Sequence, residues 1–241
     1  MEGLLTSQNL IGLVTLTSME IILGIDNIVF IAILSARLPP AQQPAARRLG
    51  LVLAMLMRIG LLFAITWVMK LTSPLFSVLD HSFSGRDLIL GLGGLFLIGK
   101  ATTEIHHKLE HHGEPSKATG QKSSFTGIVL QIMVLDVVFS LDSVITAVGM
   151  VQAIPVMIVA VILSVAVMLI FSGSISDFIL KYPTMKILAL SFLLLIGVML
   201  LADSLGQHID KRYVYFAMAF SLFVELLNLK LHSKSAAPVS R

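Results

Sequence analysis

Met19-Glu20-Ile21-Ile22-Leu23-Gly24-Ile25-Asp26-Asn27-Ile28 places two carboxylates and an amide inside an otherwise apolar run. Leu135-Asp136-Val137-Val138-Phe139-Ser140-Leu141-Asp142-Ser143-Val144 repeats the form 116 residues later. Both read acid, three residues, small residue, one residue, Asp, then Asn or Ser. A charged side chain at membrane depth costs about 2.5–3.5 kcal/mol on insertion scales, so four such acids mark a functional site by default.

The surroundings of these motifs set the class of protein. Of 241 residues, 56% are hydrophobic and 13% charged. A soluble domain of this size needs more charge to cover its surface. Composition therefore excludes a soluble enzyme, a nucleic-acid binder and a disordered chain, and implies a polytopic helical membrane protein whose partner is the lipid bilayer. There is no cysteine, so disulfides, thiolate metal sites and cysteine nucleophiles are excluded. The net charge of +3 is assigned to loops on the cytoplasmic side of a membrane rather than to nucleic acid.

A bilayer core about 30 Å thick needs roughly 20 apolar residues as helix. Seven segments are expected to span it: 9–35, 48–69, 87–105, 125–150, 154–172, 185–202 and 213–229. The third is the weakest, because Lys100 must snorkel to the near interface. The first is not a signal peptide: no basic residue precedes it, and Glu20 and Asp26 lie in its middle. Pro39, Pro40, Pro74, Pro115, Pro155 and Pro183 fall in or beside the proposed loops. With seven spans, the side bearing the N-terminus holds Lys70, Arg86, Lys211 and Arg212, whereas the other side holds eleven basic residues. The positive-inside rule then predicts the N-terminus outside and the C-terminus cytoplasmic.

Two spans separate the twin motifs, so the second copy crosses the membrane in the opposite direction. The expected architecture is two inverted three-helix repeats, 9–105 and 125–203, joined by a cytoplasmic loop at 106–124. A seventh helix at 213–230 and a cytoplasmic tail at 231–241 follow. Such repeats place binding sites near the midplane. A second match, Leu95-Phe96-Leu97-Ile98-Gly99 with Leu193-Leu194-Leu195-Ile196-Gly197, points the same way.

At about 100° per residue, Glu20 and Asn27 share a helix face while Asp26 points roughly 120° away from Glu20. Asp136, Ser143 and Asp142 obey the same geometry. Either the helices open at Gly24 and Ser140, freeing backbone carbonyls, or the acids serve two separate sites. Glu20, Asp26, Asn27, Asp136, Asp142 and Ser143, with Gln131 as an accessory, form an oxygen-only set. That chemistry suits hard divalent cations such as Mg²⁺, Ca²⁺ and Mn²⁺.

Arg58 is the expected counter-ion, either as a structural ion pair or as the group that fills the acidic site once a cation has left. Glu225 and Asn228 are candidates for a cytoplasmic vestibule. His106, His107, His111 and His112 form a histidine cluster, read as a solvated linker with a metal-collecting alternative. The twelve methionines read as packing.

At Glu20–Asn27 and Asp136–Ser143 the sequence resembles the TerC family of bacterial integral membrane proteins, named for tellurium resistance and including manganese exporters. Arg47-Arg48-Leu49-Gly50-Leu51 and Ala189-Leu190-Ser191-Phe192 are similar to it too, over essentially residues 9–230. The resemblance implies seven helices, the bacterial cytoplasmic membrane, and Mn²⁺ export or metal homeostasis, in a short, membrane-only member. The expectation is a non-enzymatic, cofactor-free secondary exporter of Mn²⁺, its substrate, by alternating access with possible proton coupling. No particular oligomeric state is implied. The alternatives are a non-transporting partner in metal or tellurite resistance or secretion complexes, and an intramembrane aspartyl protease using Asp26 and Asp142. The Gly-x-Gly-Asp context of such proteases is missing from both motifs.

Overall fold

In a computed structural model the described residues are 6–78, 81–110, 124–151, 153–207 and 209–235. They form eight helices and one hairpin: α1 (Ser7–Ser35), α2 (Gln43–Phe63), α3 (Ile65–Lys70), β1 (Pro74–Val78), β2 (His81–Ser84), α4 (Gly85–Glu110), α5 (Phe125–Met150), α6 (Ile154–Lys181), α7 (Pro183–Ser204) and α8 (Lys211–Ser235). Helix boundaries follow local chemistry. Thr6 caps α1 by accepting from the Asn9 amide at 3.2 Å. Pro155 and Pro183 sit in the first turns of α6 and α7, where a missing N–H costs nothing. Gly206, at φ 77°, closes α7, with the Gln207 amide donating to Ala202 O and the Gly206 amide to Asp203 O.

Among the described residues, six helices are long and apolar enough to cross a membrane: α1, α5, α6 and α7 entire, Gly85–His106 of α4, and Lys211–Leu231 of α8. The expected second span is not among them. Arg47, Arg48 and Arg58 fall within the 21 residues of α2, which also ends at Phe63 rather than running to 69 and passes through Ala64 into the separate short helix α3. Among the described residues, the fold departs from all-helical only in the β1–β2 hairpin, a segment whose sequence reads as loop. Phe76 stacks on Phe83 with centroids 5.4 Å apart, and the Ser77 and Ser82 hydroxyls meet at 2.9 Å. Helix α4 reaches Glu110, so residues 106–110 of the expected histidine loop are helical; residues 111–123 and the tail beyond 235 lie outside the described residues.

The solvent assumed by this fold is lipid. Large apolar side chains face outward, Leu92, Ile170, Phe216 and Tyr213 being 70–75% exposed, while Glu20, Asp26, Asn27, Arg58, Asp136 and Asp142 are buried. Several hydroxyls inside the helices bond to their own backbone, as Ser164 does to Val161 O at 2.9 Å and Ser204 to Leu201 O at 2.7 Å. Water is not required to satisfy them.

Helices pair most extensively as α4 with α7 and α1 with α6, then α2 with α5 and with α6. Glycine sets these approaches. A Cβ on Gly94 would lie 2.7 Å from Gly197 O, and one on Gly197 would lie 2.9 Å from Gly94 O. Here α4 and α7 meet backbone to backbone, as small residues permit in membranes. Gly197 thus meets Gly94, while Gly99, the position equivalent to Gly197 in the repeat match, has nothing within 4 Å of such a Cβ. Gly24 admits Met168 of α6 in the same way. Replacing Gly94 with Val should destabilise the detergent-purified protein by about 1–3 kcal/mol through overpacking. Gly99→Ala should leave the melting temperature unchanged within error in the same thermal scan.

A candidate cation site divided between two clusters

Helix α1 supplies Glu20, Asp26 and Asn27, helix α5 supplies Asp136, Asp142 and Ser143, and α2 supplies Arg58. Both α1 and α5 run unbroken through Gly24 and Ser140, so the opened turns considered at those residues are absent. Gly24 instead accommodates Met168, and the Ser140 hydroxyl donates to Asp136 Oδ2 at 2.9 Å. Because the helices keep their form, the acids within each motif diverge into two clusters.

The first cluster is centred on Arg58, which is 3% exposed. Its Nη1 pairs with Glu20 Oε2, its Nη2 lies 2.8 Å from Asp136 Oδ1, and its Nε donates to both Asp136 oxygens at 3.3 and 3.4 Å. Asn27 Nδ2 adds a donor to Asp136 Oδ1 at 3.2 Å. The shared helix face of Glu20 and Asn27, expected from their seven-residue spacing, is realised here. A planar guanidinium is suited to this bridging role because its donors point in fixed directions toward two carboxylates.

The second cluster surrounds a cavity of about 40 Å³ lined by Asp26, Asp142, Ser143, Arg58, Lys211 and Tyr215, among others. Asp142 pairs with Arg86 Nη2 at 2.5 Å and with Lys211 Nζ. Ser143 also donates to Ser140 O at 3.3 Å. Asp26 is 8% exposed and has no hydrogen bond or ion pair among the described residues. The four carboxylates thus face three cations, and Asp26 is the one left over.

Arg86 and Lys211 were missed as site residues because the sequence reading placed them in loops on the N-terminal side. Local structure draws both inward. The Ser84 amide donates to Asp87 Oδ2 at 2.8 Å and the Asp87 amide to Ser84 Oγ at 3.3 Å, a reciprocal cap that starts α4 with Arg86 in its first turn. Lys211 opens α8, and Tyr215 follows one turn later on the same face. The signal for all three was position at a helix start, on a side with few basic residues.

Other candidates lie elsewhere. The Gln131 side-chain carbonyl is buried without a hydrogen-bond partner and lines neither cavity described here. Glu225 is half-buried and Asn228 exposed, and they too line neither cavity. Among the described residues, no three His, Asp or Glu side chains converge as a ready metal cage. The small cavity gathers Asp26, Asp142 and the Ser143 hydroxyl, an oxygen set that leaves the remaining positions of a six-coordinate cation to water. Outside the spans, Asp210 is held below the usual carboxylate range by its bonds to Arg212, at the exposed start of α8.

The family sequence model described as "Integral membrane protein TerC family" matches residues 5–237. The chain belongs to the TerC family. This TerC protein is 54% identical over 221 residues to a UPF0053 protein of Haemophilus influenzae, covering 92% of the chain and 93% of that relative. It is 52% identical over 225 residues to the UPF0053 inner membrane protein YgdQ of Escherichia coli K12, covering 93% and 94% respectively. It is 53% identical over 228 residues to the UPF0053 inner membrane protein YoaE of the same strain, covering 95% of the chain but 44% of YoaE. No solved structure matches significantly. Family and apolar helices together make it a multi-pass protein of the bacterial inner membrane.

The Arg58 cluster generates a stability prediction for this TerC protein. Arg58→Met leaves Glu20 and Asp136 buried without their cation and should destabilise the protein by about 3–5 kcal/mol. Adding Glu20→Gln and Asp136→Asn to the same chain should recover most of that loss in a detergent thermal melt.

Proposed function

We propose that this protein is a secondary transporter that exports a divalent cation, with Mn²⁺ as substrate, across the inner membrane by alternating access. The carrying observation is the division of the twin acid motifs. Glu20 and Asp136 are both paired with Arg58, while Asp26 and Asp142 face one small cavity in which Asp26 has no cationic partner. A divalent ion entering that cavity meets two carboxylates, Ser143 and water. It competes with Arg86 and Lys211 for Asp142, because all three are cations seeking one carboxylate. Mn²⁺ is preferred to Mg²⁺ and Ca²⁺ on family membership, since oxygen ligands alone favour hard cations generally.

The reading includes α2 as a seventh span and two inverted repeats. In that arrangement α1, α2 and α4 correspond to α5, α6 and α7. Swapping the two sets turns the α1–α6 pairing into the α5–α2 pairing, while α4–α7, α2–α6 and α1–α5 each map onto themselves. All of these are pairings of the fold, which supports an internal two-fold relation. Burial of Arg58 against acids from α1 and α5 supports α2 as an embedded helix despite its charge. With the N-terminus outside, Arg86 and Lys211 close the outer face of the cavity in the present conformation. Their release from Asp142 is the outward-opening step, and Asp26 is the group assigned to carry a proton on return.

A transporter is favoured over a protease because Asp142 is bonded to two cations rather than sharing a proton with Asp26. Purified protein in liposomes should move Mn²⁺ down its gradient. Asp26→Asn and Asp142→Asn should each reduce that flux by more than about tenfold, a loss expected when an ion site loses one of two carboxylates. Unchanged flux in both variants overturns the assignment, and indifference to an imposed pH gradient overturns the proton step alone.

A further inference from the structure

A second, larger cavity of about 590 Å³ lies between α1, α6, α7 and α8. Its walls are almost wholly apolar, built from residues such as Ile25, Ile175, Phe178, Phe192 and Met218. Its one charged lining residue is Asp26, beside Tyr215, and both residues also line the small cavity. The cavity lies beside the loosest helix of the bundle: of α8 only Val214 and Met218 are buried apolar residues, while Ile22 and Ile25 of α1 are about half exposed along its rim. Access is therefore lateral, from the hydrocarbon side.

Three properties limit what such a cavity can hold. Its volume lies within the roughly 300–1,000 Å³ range of small-molecule pockets. Its apolar lining cannot replace the water around a hydrated divalent ion, so it is a poor metal path. A neutral acyl chain would fill the space but leave Asp26, more than nine-tenths buried and without a partner, uncompensated. A ligand with a delocalised or shielded positive charge on an apolar body meets every demand: the charge pairs with Asp26, Phe178, Phe192 and Tyr215 contribute aromatic surface to the lining, and the body replaces lipid.

We propose that this lateral cavity binds lipophilic monocations, amines or onium ions, with the positive charge at Asp26 and the apolar body between α1, α6, α7 and α8. The site is distinct in chemistry from the metal site and goes beyond the transport reading, although Asp26 is common to both. Occupancy by such a cation places charge where the divalent ion would sit.

Tetraphenylphosphonium is a suitable probe, since it carries one shielded charge on four phenyl rings. Binding is measured by isothermal titration to purified protein in detergent without divalent metal, so the result stands whether or not Mn²⁺ is the transported ion. Saturable binding is expected. Asp26→Asn should weaken it by at least about tenfold, as loss of one partner from a buried charge pair predicts, and Asp26→Glu should restore it. Ala219→Trp, which fills the cavity from α8 with Asp26 intact, should weaken it comparably. Each variant is compared only where it elutes as a single species on gel filtration. Absence of saturable binding overturns the proposal, as does binding that persists in Asp26→Asn, which would identify a slot for neutral chains.

Discussion

An arginine deep among membrane helices is tolerable only if its charge is cancelled where it stands, and the fold is arranged around that requirement at Arg58. The side chain draws Glu20 from α1 and Asp136 from α5 to one guanidinium, which fixes α2 between the two motif-bearing helices. Each of these groups alone would carry a desolvation cost of several kcal/mol. Together they form a mutually paired knot, whose second carboxylate is helped by donors from the Asn27 amide and the Ser140 hydroxyl. The consequence for Asp26 is indirect but decisive. With Arg58 committed to one face of α1, the acid on the other face faces the small cavity without a hydrogen bond or ion pair of its own.

The same economy of partners explains Asp142. Its cations come from the starts of α4 and α8, so the chain's connections reach back into the membrane to satisfy it. The hairpin before α4 and the Ser84–Asp87 cap determine where Arg86 stands, and the loosely packed α8 carries Lys211. The first turn of α4 and the loosely packed α8 thus hold the charge opposite an acid that a substrate cation would also seek. That division between a rigid knot and a lightly held pair is the structural basis for assigning one cluster to stability and the other to transport.

Much of this was legible in residues. The acids announced themselves because charge is so scarce in the spans, and the seven-residue spacing of Glu20 and Asn27 correctly placed them on one face. The 120° separation of Glu20 from Asp26 left two outcomes, and the continuous helices select separate clusters. What the sequence concealed depended on tertiary reach. Arg86 and Lys211 look like ordinary loop cations until the fold brings them to Asp142. The apolar run 48–69 hides the break at Ala64, since no proline or charge marks it. The hairpin at 74–84 offers only two short apolar stretches, and their pairing rests on Phe76 meeting Phe83.

At the crossing of Gly94 and Gly197 the main chains of α4 and α7 meet directly, with the Ile98 and Leu200 side chains closing around the contact. Main-chain atoms have no rotamers to change and no methylene to give way, so they set the limit of approach. The two helices can hardly approach more closely at this level, and because their pairing is the most extensive of the fold, they are held as one unit rather than as two independent rods. Gly94 and Gly197 therefore pin a two-helix beam, with Arg86 carried at one of its ends.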